Sequence, residues 1–270
     1  PMAYETIIVE KEAPVGIIKL NRPPVNPLSV QSYYDLYDAI VDLENDSSIG
    51  AIIITGNGDK AFGAGLDVKD VMGKSAVETL DFLWTAPRKT FDKLTSIAKP
   101  TIAAVFGLVL GGGCEVAICC DFRIASEDTV FGVPEINLGI MPGSGATQRL
   151  PRLVGLPKAK EMLFFGDNVN AEEAYRVGLA NKVVPKDQLM EEARKWASKL
   201  AAKPKAAAPS PKGRLRAAGR SRKGSVLGRV SPREVVLSPR LAGRSSRDRG
   251  SAPSRSHRAK PRDRGHQADV

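Results

Sequence analysis

Apolar residues recur in ordered patterns from Tyr4 to Ala202, and the order ends there. Tyr4–Val9 and Val15–Leu20 are short and rich in β-branched residues, which predicts two strands turning on each other near Ala13-Pro14. Asn21-Arg22-Pro23-Pro24 breaks the pattern. Ser29 then stands where a helix N-cap belongs, ahead of Tyr33, Leu36, Tyr37, Ile40 and Leu43 at helical spacing, so a helix is expected to about Glu44. Ala51–Thr55 and Thr101–Val105 are unbroken apolar runs of the kind that become strands buried on both faces. Between them lie a glycine-rich loop, Gly56–Gly65, and a mostly helical stretch, Val77–Ile97, with Pro87 as a break. Further on, brief strands are expected at Phe122–Ala125, Thr129–Phe131 and Asn181–Val184. Helices are expected at Gly145–Leu153, Lys158–Phe165, Ala171–Val177 and Lys186–Ala202. Strands alternate with helices instead of grouping apart, which points to α/β layers. No internal repeat is strong enough to use.

One stretch combines both rhythms with chemistry. Thr101–Phe106 leads into Gly107–Glu115, read G-L-V-L-G-G-G-C-E, and the apolar run Val116–Cys120 leads out. Three consecutive glycines between a strand and a helix let the chain turn tightly and let a ligand approach the backbone N–H groups. At a helix start those donors lack intrahelical partners, and the macrodipole favours negative charge. Such a place suits a developing oxyanion, and Glu115 carries a carboxylate beside it. The same glycines would equally serve to let a helix pack closely on a strand.

Charge divides the chain in two. Of 40 Lys and Arg and 30 acids, 19 bases and four acids lie from Lys203 onward, leaving 21 bases against 26 acids before it. The formal charge of +10 is therefore a mildly acidic body joined to a strongly basic segment without Phe, Trp or Tyr. Both histidines, His257 and His266, fall in that segment, so residues 1–202 cannot build a Ser-His-Asp site, a Cys-His site or a His-ligated metal. Acid–base chemistry there must use Asp, Glu, Lys, Tyr or Cys. Cys114, Cys119 and Cys120 share one apolar segment without zinc-ligand spacing, and an intracellular, reducing compartment is expected. No signal peptide is visible in residues 1–7, and no apolar run is long enough to span a bilayer.

Three further segments accompany the central turn: K-A-F-G-A-G-L-D-V-K-D at Lys60–Asp70, F-G-V-P-E-I-N-L-G at Phe131–Gly139 and I-M-P-G-S-G-A-T-Q-R-L at Ile140–Leu150. With N-R-P-P-V-N-P-L-S at Asn21–Ser29, they resemble the crotonase (enoyl-CoA hydratase/isomerase) family in order and spacing, from about Tyr4 to about Ala202. That resemblance implies a spiral of repeated ββα units that binds acyl-CoA thioesters. It implies an oxyanion hole made by the backbone N–H groups of Leu66 and Gly112. Leu66 stands where many family members have Ala; a main-chain donor survives that change, while the larger side chain would reshape the acyl pocket. Leu66, Asp67, Val68 and Lys69 match the loop that contacts the CoA adenosine moiety, with Lys69 near phosphate. Read alone, Lys69 is an ordinary solvated lysine. Hydratases of the family keep two glutamates, matched here by Glu115 and Glu135. Glu135 is expected as the principal acid/base group, Glu115 as the group that positions and activates water, and Gly143 as a further backbone contact near that water. Metal and redox cofactors are not expected, since coenzyme A is part of the substrate. No G-x-S-x-G elbow and no phosphate loop competes with this assignment.

The resemblance ends where family members continue into a helical segment that covers the site and joins trimers or hexamers. From Lys203 the chain turns to Pro, Ser, Gly, Ala and Arg, a composition that cannot bury enough surface to offset ordering entropy. Domain organisation is thus expected as a catalytic core, 1–202, and a basic disordered tail, 203–270. The tail's bias is what a shifted reading frame in GC-rich DNA would produce, a hypothesis that the nucleotide sequence would decide. The expected activity is hydration of trans-2-enoyl-CoA to 3-hydroxyacyl-CoA, in the cytoplasm or, in a eukaryote, the mitochondrial matrix. Another crotonase reaction, such as double-bond isomerisation, is the nearest rival. A nucleic-acid binder using the tail is the rival from another class, disfavoured because no aromatics are interleaved with the bases.

Overall fold

The structure, a computed structural model, describes residues 4–70 and 72–203. Everything assigned above to the tail, Lys203 apart, lies outside the described residues. Strands β1 (Ile7–Glu12) and β2 (Val15–Leu20) form the expected antiparallel hairpin. Next comes helix α1 (Val30–Asn45), capped as expected by Ser29, whose side chain accepts from the Ser32 amide. Three ββα passages follow. The first contains β3 (Ala51–Gly56), β4 (Ala61–Gly63), α2 (Ala76–Trp84) and α3 (Ala86–Ser96). The second contains β5 (Thr101–Val105), β6 (Leu108–Leu110) and α4 (Gly112–Cys119). The third contains β7 (Phe122–Ser126), β8 (Val130–Gly132) and α5 (Ala146–Phe165). The described chain closes with β9 (Val169–Asn170), α6 (Ala171–Arg176), β10 (Lys182–Val184) and α7 (Leu189–Ala201).

Each passage gives its first strand to one sheet and its second to another. The larger sheet runs β1-β2-β3-β5-β7-β10 and the smaller β4-β6-β8-β9. Apart from the β1–β2 and β8–β9 pairs, neighbours are parallel. This is an α/β spiral of ββα units. Alternate residues of the larger sheet face opposite ways. Ile18, Ile52, Ile54, Ala103 and Val105 join Leu36, Ile40, Leu43 and Leu94 of α1 and α3 in one core. Ile17, Ile53, Ile102, Ala104 and Ile124 join Leu189, Ala193 and Ala197 of α7 in a second. Two cores on one sheet require strands without polar alternation, which is why β3 and β5 read as unbroken apolar runs.

The differences from expectation are local. Strand β4 falls inside what reads as the loop Gly56–Gly65, β6 inside the glycine stretch, and β9 inside an unassigned link. Strands of two or three residues are too short to show a period. Helix α4 starts at Gly112, not Val116, so two of the three glycines are helical. The α5 span contains a non-helical Gly155, which divides it close to the boundary expected between Leu153 and Lys158.

Gly113 shows why α4 can lie on the smaller sheet. A Cβ there would overlap the carbonyl oxygen of Gly63 in β4, a backbone atom with nowhere to retreat. Gly113→Ala is therefore expected to destabilise the chain by about 1–3 kcal/mol, as overpacking of a close contact does. Denaturant melts would read this as a lowered midpoint; an unchanged midpoint would show that α4 has room to shift.

Candidate active site

The turn into α4 depends on Gly111, at φ 50, a conformation that L side chains rarely adopt. Gly112 follows as the first residue of the helix, so its N–H has no partner in the preceding turn. A second amide reaches the same place from another element. Leu28 donates to the Gly65 carbonyl (2.8 Å) and accepts from the Asp67 amide (2.9 Å). In such a bridge the N–H of the residue between, Leu66, points the other way, and Leu66 N lies 3.6 Å from where a Cβ on Gly112 would sit. The missing side chain leaves a small hollow bordered by the backbone of both segments.

Glu115 lies on the first turn of α4 and is only 3 % exposed. Its Oε1 accepts from the backbone N–H groups of Ser144 (2.9 Å) and Ala146 (3.0 Å), the latter being the first residue of α5. Two helix N-termini thus face one carboxylate, which favours its charged form. Burial wins nonetheless. It pushes the Glu115 pKa up to about 7, with the charge of Glu135 adding to the shift and the Ala146 and Ser144 amides opposing it. Glu135 arrives from a short 3-10 turn, Pro134–Leu138, that follows β8. Its Oε1 is 3.3 Å from the position a Cβ on Gly111 would take. Its Oε2 is buried and has no hydrogen-bond partner among the described residues, and burial raises its pKa too. Both carboxylates act on Cys114 and Tyr33, whose pKa values are pushed up chiefly by burial and then by those charges, so that both stay protonated. Two carboxyls with raised proton affinity therefore share one neighbourhood with the backbone of Leu66 and Gly112. Such an arrangement can steady a carbonyl oxygen that gains charge while protons move at adjacent carbons.

The remaining sequence-assigned residues are placed less simply. Val68 and Lys69 are exposed in a 3-10 turn. The Asp67 carboxylate is engaged by Arg22 (2.9 Å) and by the Lys69 amide (3.2 Å), with Arg22 the main cause of its lowered pKa. Its side chain fixes the loop. Gly143 is exposed, one residue before Ser144. The amides that reach Glu115 are those of Ser144 and Ala146, which sequence reasoning missed although a helix start at Gly145 was legible. Tyr33, which the sequence marks only by its helical spacing in α1, has its hydroxyl at the Gly112 hollow. Among the described residues no group of His, Cys, Asp and Glu could hold a metal ion, and no helix is long and apolar enough to cross a membrane.

Spiral and site together define a class of α/β protein in which paired glutamates stand beside the glycine turn at the start of a helix. The chain belongs to the enoyl-CoA hydratase/isomerase family, whose sequence model matches residues 10–227 and so runs past Ala202. It is 46 % identical over 203 residues to a crotonyl-CoA hydratase of Syntrophomonas wolfei, covering 75 % of this chain and 78 % of that one. A short-chain-enoyl-CoA hydratase of Clostridium acetobutylicum is 44 % identical over 200 residues, 74 % and 76 % of the two chains. The crystal structure of an enoyl-CoA hydratase from Bacillus anthracis superposes with a TM-score of 0.71 at 37 % identity, over 74 % of this chain and 78 % of that one.

The raised Glu115 pKa links the site to stability. Between its ordinary value of 4.5 and about 7 the native state binds the extra proton. Its contribution is therefore complete below about pH 4.5 and lost as pH rises through about 7, an effect on the order of 3 kcal/mol. Glutamine stays neutral, and its oxygen can still accept from Ser144 and Ala146. Glu115→Gln should be more stable than the parent at about pH 8 and no more stable at about pH 4.5. Denaturant titrations at both pH values check this, and a pH-independent difference would contradict it.

Proposed function

We propose that this chain catalyses the reversible addition of water to a trans-2-enoyl-CoA, giving the 3-hydroxyacyl-CoA. The observation that supports the reading is the pairing of Glu115 and Glu135, whose charges act on each other's neighbourhood and whose pKa values are both raised, with Glu135 against Gly111 and the Leu66 amide against Gly112. The Leu66 and Gly112 amides donate to the thioester oxygen. That withdraws electrons from the conjugated double bond and makes the β-carbon electrophilic. Water oxygen bonds to the β-carbon, one water proton passes to a carboxylate, and the electron pair moves onto the thioester oxygen as an enolate. The α-carbon then takes a proton from a carboxylic acid, and the carbonyl re-forms. Glu115, held by the Ser144 and Ala146 amides, positions and activates the water. Glu135, with an unpartnered buried oxygen, is the principal acid/base group. One ionised and one protonated carboxyl serve both directions.

Coenzyme A enters only as part of the substrate, with the exposed loop Val68–Lys69 beside its adenosine end and Gly143 near the water. The three buried cysteine thiols suit a reducing compartment, the cytoplasm or a mitochondrial matrix. The exposed Phe164, Phe165 and Tyr175 suit assembly into trimers or hexamers.

Crotonyl-CoA hydration by the full chain tests the reading. Glu115→Gln and Glu135→Gln should each lower kcat by about a hundredfold or more, the usual weight of a general acid or base. Full activity in both variants would remove the mechanism.

A further inference from the structure

Tyr33 has a hydroxyl that its packing does not explain. The side chain is 2 % exposed. Its ring meets Phe82 and Phe91 edge-on, with centroids 6.3 and 5.8 Å away, contacts that a phenylalanine would make equally well. Burying a hydroxyl is costly unless something uses it. Tyr33 Oη lies 3.2 Å from the point a Cβ on Gly112 would occupy, the same point that lies 3.6 Å from Leu66 N. The phenol and both amides thus border one hollow. We propose that Tyr33 is a third hydrogen-bond donor of this hollow, aimed with the Leu66 and Gly112 amides at the thioester oxygen; the inference rests on the hydratase reading.

The surroundings keep the phenol a donor and keep it in place. After burial, the charges of Glu115, Asp70 and Glu135 all disfavour the phenolate, so the proton stays on. The Tyr33 carbonyl accepts from Thr90 Oγ1 (2.8 Å) in α3, and its amide donates to Ser29 (3.2 Å). Asp70, beyond the Leu66 turn, accepts from the Val30 amide (2.8 Å) and ties α1 to the loop that carries the second donor. Tyr33 is therefore held by the same elements that hold the Leu66 amide. A donor here matters most when the oxygen carries an enolate's charge, so its effect falls on kcat more than on KM.

Tyr33→Phe keeps the ring and removes only the hydroxyl. We expect kcat for crotonyl-CoA hydration to fall about tenfold to a hundredfold, within the range of a single oxyanion donor, with KM and melting temperature little changed. Binding of the enolate of acetoacetyl-CoA, followed by its ultraviolet absorbance, should weaken by a similar factor. Unchanged kcat in Tyr33→Phe, beside a crippled Glu115→Gln, would overturn this inference and leave the hydratase reading standing. A fall in kcat without loss of enolate affinity would also overturn it. A parent chain without hydratase activity would remove both.

Discussion

The structure turns on a close approach of bare backbone. From β6 into α4 the chain passes through Gly111, Gly112 and Gly113, and each has a different neighbour where a side chain would stand. At Gly111 it is the Glu135 carboxyl, at Gly112 the Tyr33 hydroxyl and the Leu66 amide, and at Gly113 the carbonyl of Gly63. One residue lets an acid in, the next opens the hollow, and the third seats the helix on the smaller sheet. The two-sheet spiral makes this possible, because β4 and β6 run side by side and carry the Leu66 and Gly112 segments together. Close packing of the helix on the sheet, one of the two roles that the sequence leaves open to these glycines, is met at Gly113, and the proposed anion site falls on its neighbours.

The second constraint is electrostatic. A carboxylate at two helix N-termini would ordinarily ionise readily, and Glu115 has both the α4 turn around it and the α5 amides upon it. Full burial outweighs them and leaves the group near neutrality in its proton affinity. The amides then serve orientation more than charge: with Oε1 fixed by Ser144 and Ala146, the rotamer is set. Glu135 has the opposite design, with one oxygen buried and unpartnered. Such a group destabilises the fold locally and is retained at sites that use it.

Much of this was legible in the residues. Ser29 announced α1, the unbroken apolar runs announced the buried strands, and the glycine triplet marked the turn that brings Glu115 into the buried site. What was not legible has physical causes. Strands as short as β4, β6 and β9 carry no period, and their pairing is decided by tertiary placement. Asp67 reads as a ligand-loop residue, but Arg22, distant in sequence, takes its carboxylate. Ser144 and Ala146 act through main-chain amides, which leave no mark in side-chain identity. Tyr33 fits the helical stripe so well that its hydroxyl drew no notice.

The most direct test of the convergence of Leu66 and Gly112 on one oxygen is vibrational. Isotope-edited infrared spectra of a carbonyl-labelled, saturated butyryl-CoA bound to the full chain report the polarisation of that bond without any reaction. A carbonyl stretch at lower frequency in the complex than in free solution is expected, because donors to the oxygen weaken the double bond. A bound ligand whose carbonyl frequency equals the free value would contradict it.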